Sequence, residues 1–501
     1  PSHTSSYKDR NKTALGDLPL IAQPGMGTRV MMKKVVSQSL LAVDLAFEDP
    51  TNDENVKITG GYTKGLVMSS FIAVLPSLQF GFINGEMNTA AAAMRKALEL
   101  RIGDATADSI WSFCVSVFCL GAIIGCSVGA QLADRRGRRF ALICTSMIYA
   151  LGSAIQASSA IGPQEGIELM ILGRFVVGAA AGATTVVVPT YLGEVAPSHL
   201  RGELGTVFQL MMCIGILLGQ VLGLPSLMGT EKLWPLYLMV VAIPSLMMLL
   251  LLGCLPESPR WLAGRSEAEQ GRAKRVLAHL RGEAEDGINV RDEFNDLRAG
   301  TESGGSSGGS YGVRQLLRDA AVRDGLTITV ICASVQQFSG INNMFNYSSS
   351  FLAAGGMSPE TMSLVAVLMN IGNVVITLAS TLLMDRAGRK VLLLSSAGGM
   401  FLSTLAITAA LATPGAEWSS PLAVISVCSF VMAFGIGMGP IPWLLPAEMF
   451  PAEKCATGMS MAATSNWMAN FIVGQAFLVI SANLGGYCFM PFAVVQLVFL
   501  M

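Results

Sequence analysis

The residues of this chain best suited to binding a ligand are neutral amides that lie inside long apolar stretches. Gln209 and Gln220 are separated by three helical turns and therefore share one face of a helix. The other such amides are Gln336, Gln337, Asn342, Asn343, Asn346, Asn373, Asn466 and Asn470. An amide donates and accepts hydrogen bonds without titrating, which matches the hydroxyl groups of a neutral polyol. Amides also join helices inside membranes, at about 0.6 kcal/mol per bond, but their clustering in both halves of the chain favours a ligand site.

Glycine and proline break two of the apolar stretches beside these amides. The segment SGIN at 339–342 interrupts one stretch, and GIGMGPIPW at 435–443 brings Pro440 and Pro442 into another. A proline inside a helix removes a backbone hydrogen bond and kinks the helix. Broken helices are tolerated at membrane depth only where they line a cavity or the protein interior. Trp443 follows the second break, where it could stack on the apolar face of a sugar ring; the alternative, a tryptophan at the membrane interface, fits its predicted depth less well.

Two charged motifs occur twice at nearly the same interval, which indicates an internal duplication. GAQLADRRGRR at 129–139 is followed by PTYLGEVAPSHLRG at 189–202, and STLLMDRAGRK at 380–390 is followed by PWLLPAEMFPAEK at 442–454. Such charges either anchor the topology or form a latch that breaks when the protein changes state, and their duplication favours the latch. The predicted latch residues are Asp134, Arg138, Arg139, Glu194, Arg201, Glu257, Arg260, Asp385, Arg389 and Glu448.

The composition is that of a polytopic membrane protein. Of the 501 residues, 52% are hydrophobic and 13% are charged, whereas soluble proteins carry roughly 25% charged residues. Hydropathy predicts membrane spans near 63–88, 107–133, 139–160, 167–192, 203–227, 233–255, 324–353, 360–384, 390–412, 420–446, 457–483 and 486–501. The net charge of −1 gives no electrostatic bias toward nucleic acid. The ten cysteines have no metal-ligand spacing, so we expect no metal. We also expect no cofactor and no nucleic-acid partner.

This pattern predicts four regions. Residues 1–60 form a polar tail, 61–255 a first bundle of six helices, 256–322 a charged helical linker, and 323–501 a second bundle of six helices whose last span we expect to be truncated. Basic residues concentrate in the loops that lie on the same side of the membrane as the N-terminus. Since Lys and Arg stay on the cytosolic side, the N-terminus and the linker are predicted to be cytosolic.

Several motifs together resemble the sugar porters of the major facilitator superfamily, and among these the glucose facilitators. The motifs are GRF at 173–175, PTYLGEVAP at 189–197, PESPRWL at 256–262, QQFSGIN at 336–342, GPIPW at 439–443 and NWMANF at 466–471, with the two DRxGR motifs. The resemblance spans residues 61–501. It implies an all-α integral membrane protein with the major facilitator fold, in which twelve transmembrane helices form two six-helix bundles joined by a cytosolic helical linker.

The resemblance also implies a function. It predicts a hexose transporter of the plasma membrane that works by alternating access and functions as a monomer in the lipid bilayer. An enzyme is not expected, because His3, His199 and His279 lie outside the predicted spans and no nucleophile-base spacing occurs.

Individual residues receive roles from the same resemblance. It implies that a hexose such as D-glucose is bound by Gln209, Gln220, Gln336, Gln337, Asn342, Asn373, Trp443 and Asn470, and that a gate is formed by Asn346, Tyr347, Pro440 and Pro442. Asn346 departs from the aromatic residue usual at its position. Cys455 stands where the family has an arginine, with Lys454 adjacent, so the second half of the latch is predicted to be weaker than the first.

The sequence leaves alternatives for energy coupling. Proton-coupled relatives carry an aspartate in the first span after a glycine and an aromatic residue, and here Ile83 follows Gly81 and Phe82. An apolar side chain cannot take up a proton, so the resemblance implies uniport. The first alternative is proton symport through Glu86, one helical turn further on, although we expect Glu86 to lie at the outer mouth. The second alternative is a sugar sensor that does not transport.

Overall fold

The computed structural model of this chain describes residues 61–90, 93, 94, 96, 104–160, 166–303, 313–319, 321–345, 359–413 and 415–501. The regular structure of these residues is helical throughout. The helices are α1 (Lys64–Ala73), α2 (Leu75–Thr89), α3 (Asp104–Arg136), α4 (Arg138–Ser158), α5 (Gly166–Val195), α6 (Arg201–Leu222), α7 (Trp234–Met239), α8 (Ala242–Leu250), α9 (Pro259–Ala263), α10 (Glu267–Arg281), α11 (Ile288–Ser303), α12 (Val313–Arg318), α13 (Arg323–Phe338), α14 (Pro359–Ala387), α15 (Arg389–Ala412), α16 (Ser419–Ile436), α17 (Ile441–Met449), α18 (Ala452–Leu484) and α19 (Met490–Leu500).

Eight helical segments in the described ranges are long and apolar enough to cross a bilayer. They are Lys64–Met87, Phe113–Arg136, Arg138–Ser158, Gly166–Val195, Ser198–Leu222, Leu364–Met384, Arg389–Ala412 and Ser419–Met449. Shorter apolar helices run over Trp234–Leu250 and Gly485–Leu500, and α13 and α18 occupy the remaining predicted spans. Six spans therefore precede the linker and six follow it, which confirms the predicted all-α membrane architecture.

Prolines explain two breaks that the hydropathy pattern does not predict. The first span divides at Val74 into α1 and α2, and the sixth divides after Met239 into α7 and α8. Pro76 and Pro244 follow these breaks. A proline has no N–H to donate to the carbonyl four residues earlier, so the regular helix is interrupted there. The predicted break at 435–443 is confirmed, because α16 ends at Ile436 and α17 begins at Ile441.

Close contacts between small residues hold the first bundle together. Helices α3 and α5 cross so tightly that a Cβ on Gly182 would lie 1.9 Å from the carbonyl oxygen of Ala122. On the facing helix, a Cβ on Gly125 would lie 2.0 Å from the carbonyl oxygen of Ala179. Only glycine fits at either position. Lipid tails are as apolar as the side chains, so helices in a membrane associate through close van der Waals packing, which small residues allow.

The two bundles meet along two seams. Helix α14 packs against α6, and α18 packs against α3 and α5. At one end of the molecule, α17 also packs against α5 and α6, where a Cβ on Gly205 would lie 2.3 Å from Leu444 Cδ1. The turns at Gly137 and Gly388, each followed by an arginine, lie at this same end. We call it the basic end below.

The linker helices α9 to α12 connect the bundles at the basic end. Arg281 of α10 donates to the carbonyl oxygen of Val195, at the end of α5, at 2.9 Å, and pairs with Glu293 at 2.6 Å. These bonds satisfy a carbonyl that the helix end leaves open. On the side of the second bundle, Lys454 Nζ lies 2.5 Å from Asp319 Oδ2. The linker therefore makes polar contacts with both bundles.

Candidate ligand site between the bundles

A cavity of about 100 Å³ lies between the two bundles. All eight residues predicted to bind a sugar line it: Gln209, Gln220, Gln336, Gln337, Asn342, Asn373, Trp443 and Asn470. The other lining residues are Phe80, Asn84, Met87, Val115, Phe118, Cys119, Arg174, Met212, Ile216, Ile341, Phe345, Phe434, Asn466 and Trp467. The structure thus brings the predicted set together around one space, and their role as ligands stays a prediction.

Gln336 supports the broken helix that forms one wall of the cavity. The break between α16 and α17 frees backbone carbonyls that a continuous helix would use. Gln336 Nε2 donates to the carbonyl oxygens of Met438 at 2.6 Å and Gly439 at 2.9 Å. Ser396 accepts from the N–H of Met438 at 2.9 Å and donates to Ala433 at 2.7 Å. The predicted break is therefore satisfied by side chains from neighbouring helices, as a membrane interior requires.

Asn466 joins the two glutamines of α13 into one network. Its Nδ2 donates to Gln336 Oε1 at 2.7 Å and to the carbonyl oxygen of Ala333 at 2.7 Å. Its Oδ1 accepts from Gln337 Nε2 at 2.9 Å. Gln337 Oε1 in turn accepts from Asn342 Nδ2 at 2.6 Å. This side of the cavity is a chain of amides already bonded to one another, which fixes the orientation of each.

The opposite wall, formed by α6 and α14, is bonded differently. Cys213 Sγ lies 3.5 Å from Gln209 Nε2 and 3.4 Å from Asn373 Nδ2. Within the described ranges, Gln209 Oε1 and Asn373 Oδ1 are buried without a hydrogen-bond partner. Further from the basic end, Asn370 Nδ2 donates to Gln220 Oε1 at 2.7 Å. The contacts of Asn373 with Cys213 and of Asn370 with Gln220 join a helix of the first bundle to a helix of the second.

Two tryptophans supply the apolar surface of the cavity. Trp443 is 5% exposed and packs edge-on against Phe208, with ring centroids 5.6 Å apart. This burial excludes the alternative of a tryptophan at the membrane interface. Trp467 of α18 reaches the first bundle, where its ring lies 5.6 Å from Phe80 and 5.5 Å from Phe118.

The predicted gate is described only in part. Asn346 and Tyr347 lie outside the described residues, as does the side chain of Asp385. Pro440 precedes α17 as its N-cap, and Pro442 lies within the first turn of that helix. Both prolines are buried. A proline in the first turn costs no hydrogen bond, because that N–H has no partner in a helix.

Glu86 lies in a place that the sequence did not predict. We expected it at the outer mouth, but its side chain is fully buried, and Glu86 Oε1 lies 3.3 Å from Arg174 Nη1 of α5. The guanidinium carbon of Arg174 also stands 4.6 Å above the ring of Phe118. The expectation of a position open to solvent was wrong because Arg174 provides a counter-charge inside the bundle, which allows the carboxylate to be buried.

The first copy of the charged motif forms an ion pair at the basic end. Gly137, with φ of +97°, turns the chain between α3 and α4, a conformation that favours glycine. Arg138 Nη2 lies 2.8 Å from Glu194 Oε1, and each side chain is 6% exposed. Arg138 Nη1 also donates to the carbonyl oxygen of Ala133 at 3.1 Å.

The second copy repeats this geometry. Arg389 Nη2 lies 2.7 Å from Glu448 Oε1, and Arg389 Nη1 donates to the carbonyl oxygen of Met384 at 3.1 Å. The side chains of Arg389 and Glu448 are 16% and 14% exposed, so this pair is less shielded than the first. Each pair joins helices within one bundle. Their action as a latch stays a prediction.

Glu257 holds the first copy from the linker side. Its carboxylate accepts hydrogen bonds from the backbone N–H groups of Arg138 at 2.8 Å, Arg139 at 3.1 Å and Ser258 at 2.9 Å. The first two belong to the N-terminus of α4, where a negative charge is stabilised. Burial raises the pKa of Glu257, although these backbone hydrogen bonds and Arg138 act in the opposite direction.

The remaining predicted latch residues surround this pair. Asp134 Oδ1 lies 3.4 Å from Arg138 Nη1. Arg201 is within electrostatic range of Glu448 in the other bundle and of the like-charged Arg260 in the linker. Arg201 therefore contributes charge at the interface between the bundles, where α17 meets α6.

Cys455 and Lys454 bear on the predicted asymmetry of the latch. Cys455 is buried in an apolar cluster with Leu316, Val322 and Phe450, at the junction of the linker and the second bundle. Lys454 pairs with Asp319 of the linker rather than with Glu448. The place of the expected arginine is thus occupied by apolar packing.

Sequence reasoning missed three polar or aromatic residues of the cavity, Asn84, Arg174 and Trp467, and it named Asn466 among the amides without assigning it to the sugar. Arg174 carried the clearest signal, because a charge inside an apolar span is costly and marks a functional site. Asn466 and Asn470 are four residues apart and share a helix face, so selecting one should have selected both. In the part of the chain that the structure describes, there is no group of three or more His, Cys, Asp or Glu side chains placed to bind a metal.

Two similar helical bundles with a cavity between them form the major facilitator fold. A solved structure of the proton:xylose symporter XylE, a transporter from E. coli, bound to 6-bromo-6-deoxy-D-glucose superimposes with a TM-score of 0.75. The two sequences are 24% identical, and the superposition covers 87% of this chain and 94% of the XylE chain. At this identity the likeness establishes the fold.

Sequence comparison establishes the family. The family described as "Sugar (and other) transporter" matches residues 69–501, and this chain belongs to it. The facilitated glucose transporter member 4 of Mus musculus is 36% identical over 453 residues, covering 87% of this chain and 86% of the relative. Member 1 of Gallus gallus is 33% identical over 446 residues, covering 87% and 89%. The protein is a sugar transporter rather than an enzyme, as the sequence predicts.

Proposed function

We propose that this protein carries hexoses across the plasma membrane by alternating access and functions as a monomer. The observation that carries the proposal is the cavity between the bundles, whose polar lining consists mainly of amides. Amides bond hydroxyl groups, and the rings of Trp443 and Trp467 offer apolar surface to the C–H face of a sugar. Similarity to facilitated glucose transporters of mouse and chicken supports a hexose as substrate.

In this proposal the residues have distinct tasks. Gln209, Gln220, Gln336, Gln337, Asn342, Asn373, Trp443 and Asn470 bind the sugar. The segment from Asn346 and Tyr347 closes one side, and the prolines of α17 shape the other. The charged residues at the basic end act as the latch, with the basic end facing the cytosol because arginines concentrate there. Packing of α17 against α5 and α6 supports a state that is closed at that end.

Uniport is the proposed mode of transport. Ile83 cannot take up a proton. The side chains that bind the sugar in this proposal are all neutral. A carrier without a titrating group on its cycle moves sugar down the sugar gradient alone. Facilitated transport is also the activity named for the curated relatives of this chain.

Proton symport is the second candidate, favoured by one observation. Glu86 and Arg174 form a buried ion pair, and Arg174 lines the cavity. A carboxylate beside a substrate site can couple transport to protons if its environment changes between states. The pair also has a plain structural use, which is to join α2 to α5.

Uptake by purified protein in liposomes tests the proposed function. We expect saturable entry of labelled D-glucose or another D-hexose, with L-glucose as the control for leakage. Gln336→Ala should weaken uptake, whereas Gln475→Ala, outside the lining, should leave the apparent affinity unchanged. A folded protein that binds sugar without moving it would contradict transport and support the sensor alternative.

A further inference from the structure

One thiol contacts amides from both bundles at the wall of the cavity. Cys213 lies in α6 and is buried, with Sγ 3.5 Å from Gln209 Nε2 and 3.4 Å from Asn373 Nδ2. Thr377 Oγ1 lies 3.7 Å from the same sulfur and can take the thiol hydrogen. The sulfur lone pairs then face the two amide nitrogens. A thiol is a weak acceptor, but two donors share it in a dry environment.

This arrangement decides which end of each amide is bonded within the wall. Gln209 and Asn373 are each 1% exposed, and among the described residues their carbonyl oxygens have no hydrogen-bond partner. An amide whose nitrogen is held on one side turns its oxygen to the other. Buried carbonyl oxygens are costly to leave unbonded. Both side chains line the cavity, so its wall contains two acceptors without partners among the described residues.

We propose that Cys213 is a positioning residue that orients Gln209 and Asn373 so that this wall accepts hydrogen bonds from two substrate hydroxyl groups. The inference rests on the proposed hexose transport and adds the direction of the hydrogen bonds. The opposite wall differs, because Gln336 and Gln337 are already bonded through Asn466. Selectivity among hexoses then depends on which hydroxyl groups reach the wall formed by α6 and α14.

Fluorinated sugars test the direction of these bonds. A fluorine in place of a hydroxyl accepts weakly and cannot donate. Analogues of the transported hexose with one hydroxyl replaced by fluorine or by hydrogen are compared at each ring position in turn. At two positions, the fluoro and the deoxy analogue should both bind about tenfold more weakly than the parent. Affinity is measured by competition with uptake of the labelled parent hexose in liposomes.

Variants at position 213 separate positioning from simple packing. Cys213→Val removes the acceptor at similar size, so the amides can turn their nitrogens to the cavity and the fluoro penalty should fall by about threefold or more. Cys213→Ser keeps an acceptor and should retain the wild-type penalty. Cys428→Val, at a half-buried cysteine packed in the second bundle, is the matched control. Cys213→Ala is measured beside the valine variant in case the branched side chain does not fit.

The outcomes are distinguishable. The inference is overturned if the valine and alanine variants bind the parent hexose and keep the wild-type fluoro penalties. It is also overturned if no fluoro position is penalised in the wild-type protein. A wild-type protein that neither binds nor carries any hexose contradicts the proposed function itself, which is a different result.

Discussion

Glu86 and Arg174 face each other inside the first bundle, with Oε1 and Nη1 3.3 Å apart and both side chains almost fully shielded from solvent. The pair joins α2 to α5. Because a buried charge is tolerated only beside a partner, the two residues must be retained together. Whether the pair moves protons or only holds the helices decides between uniport and symport.

An imposed proton gradient tests the role of this pair. Under uniport, the initial rate of hexose uptake into liposomes should be the same whether or not a proton gradient is imposed, with the inside of the liposomes alkaline. Glu86→Gln should lower the stability of the protein by about 3–5 kcal/mol, the cost of removing one partner from a buried pair, and leave uptake independent of the gradient. Uptake that the gradient accelerates in the wild type, and no longer accelerates in Glu86→Gln, would establish symport.

Asn466 should matter for sugar binding although the family resemblance does not assign it to the sugar. Asn466→Ala removes the bond to Gln336 Oε1 and the acceptor for Gln337 Nε2. The two glutamines lose their fixed orientation, and we expect the apparent affinity for hexose to fall by about 1–3 kcal/mol. The measurement is the concentration dependence of uptake. Asn483→Ala, at the far end of the same helix, is the control, and unchanged affinity in Asn466→Ala would refute the role of the network.

The two ion pairs at the basic end should differ in strength. Glu194→Gln leaves Arg138 with reduced compensation at a site only 6% exposed, whereas Glu448→Gln acts at a pair with 14–16% exposure. We expect a loss of about 3 kcal/mol for the first and about 1 kcal/mol for the second. Thermal unfolding of the detergent-solubilised variants measures the difference. Equal losses would mean that the halves of the predicted latch are equivalent.

Acid should stabilise the contact between the linker and α4 through Glu257. Burial raises the pKa of Glu257 above its ordinary 4.5, so the folded protein takes up this proton at a higher pH than the unfolded chain does. The stabilisation is complete below the unfolded pKa and is lost as pH rises through the folded pKa. The side chain in Glu257→Gln does not titrate in this range. The melting temperature of the wild type minus that of the variant should therefore increase as pH falls from 7 to 4.5. A constant difference over this range would show that Glu257 does not titrate with folding.

Much of the site could be predicted because polar groups are costly in hydrocarbon. Of the amides named from the sequence that the structure describes, all but Asn343 line the cavity, and both DRxGR motifs adopt one geometry. The burial of Glu86 could not be predicted, since hydropathy gives the length of a span but not which residues of a neighbouring helix face it. Arg174 was visible in the sequence, but its partner was not.

The bonding within the site depends on packing that sequence does not contain. The thiol of Cys213 meets Asn373 only because α6 and α14 pack along one seam. Asn370 meets Gln220 for the same reason. These pairs, 150 and 160 residues apart in the chain, are brought together by the packing of helices, which a hydropathy profile does not specify.

Counterflow tests the central claim most directly. Liposomes containing the purified protein are loaded with unlabelled D-hexose and diluted into a trace of the labelled sugar. A carrier that alternates one site between two sides should concentrate the label inside for a time, with no proton gradient and no other energy source. Simple equilibration without an overshoot, or no entry at all, would contradict alternating access by this protein.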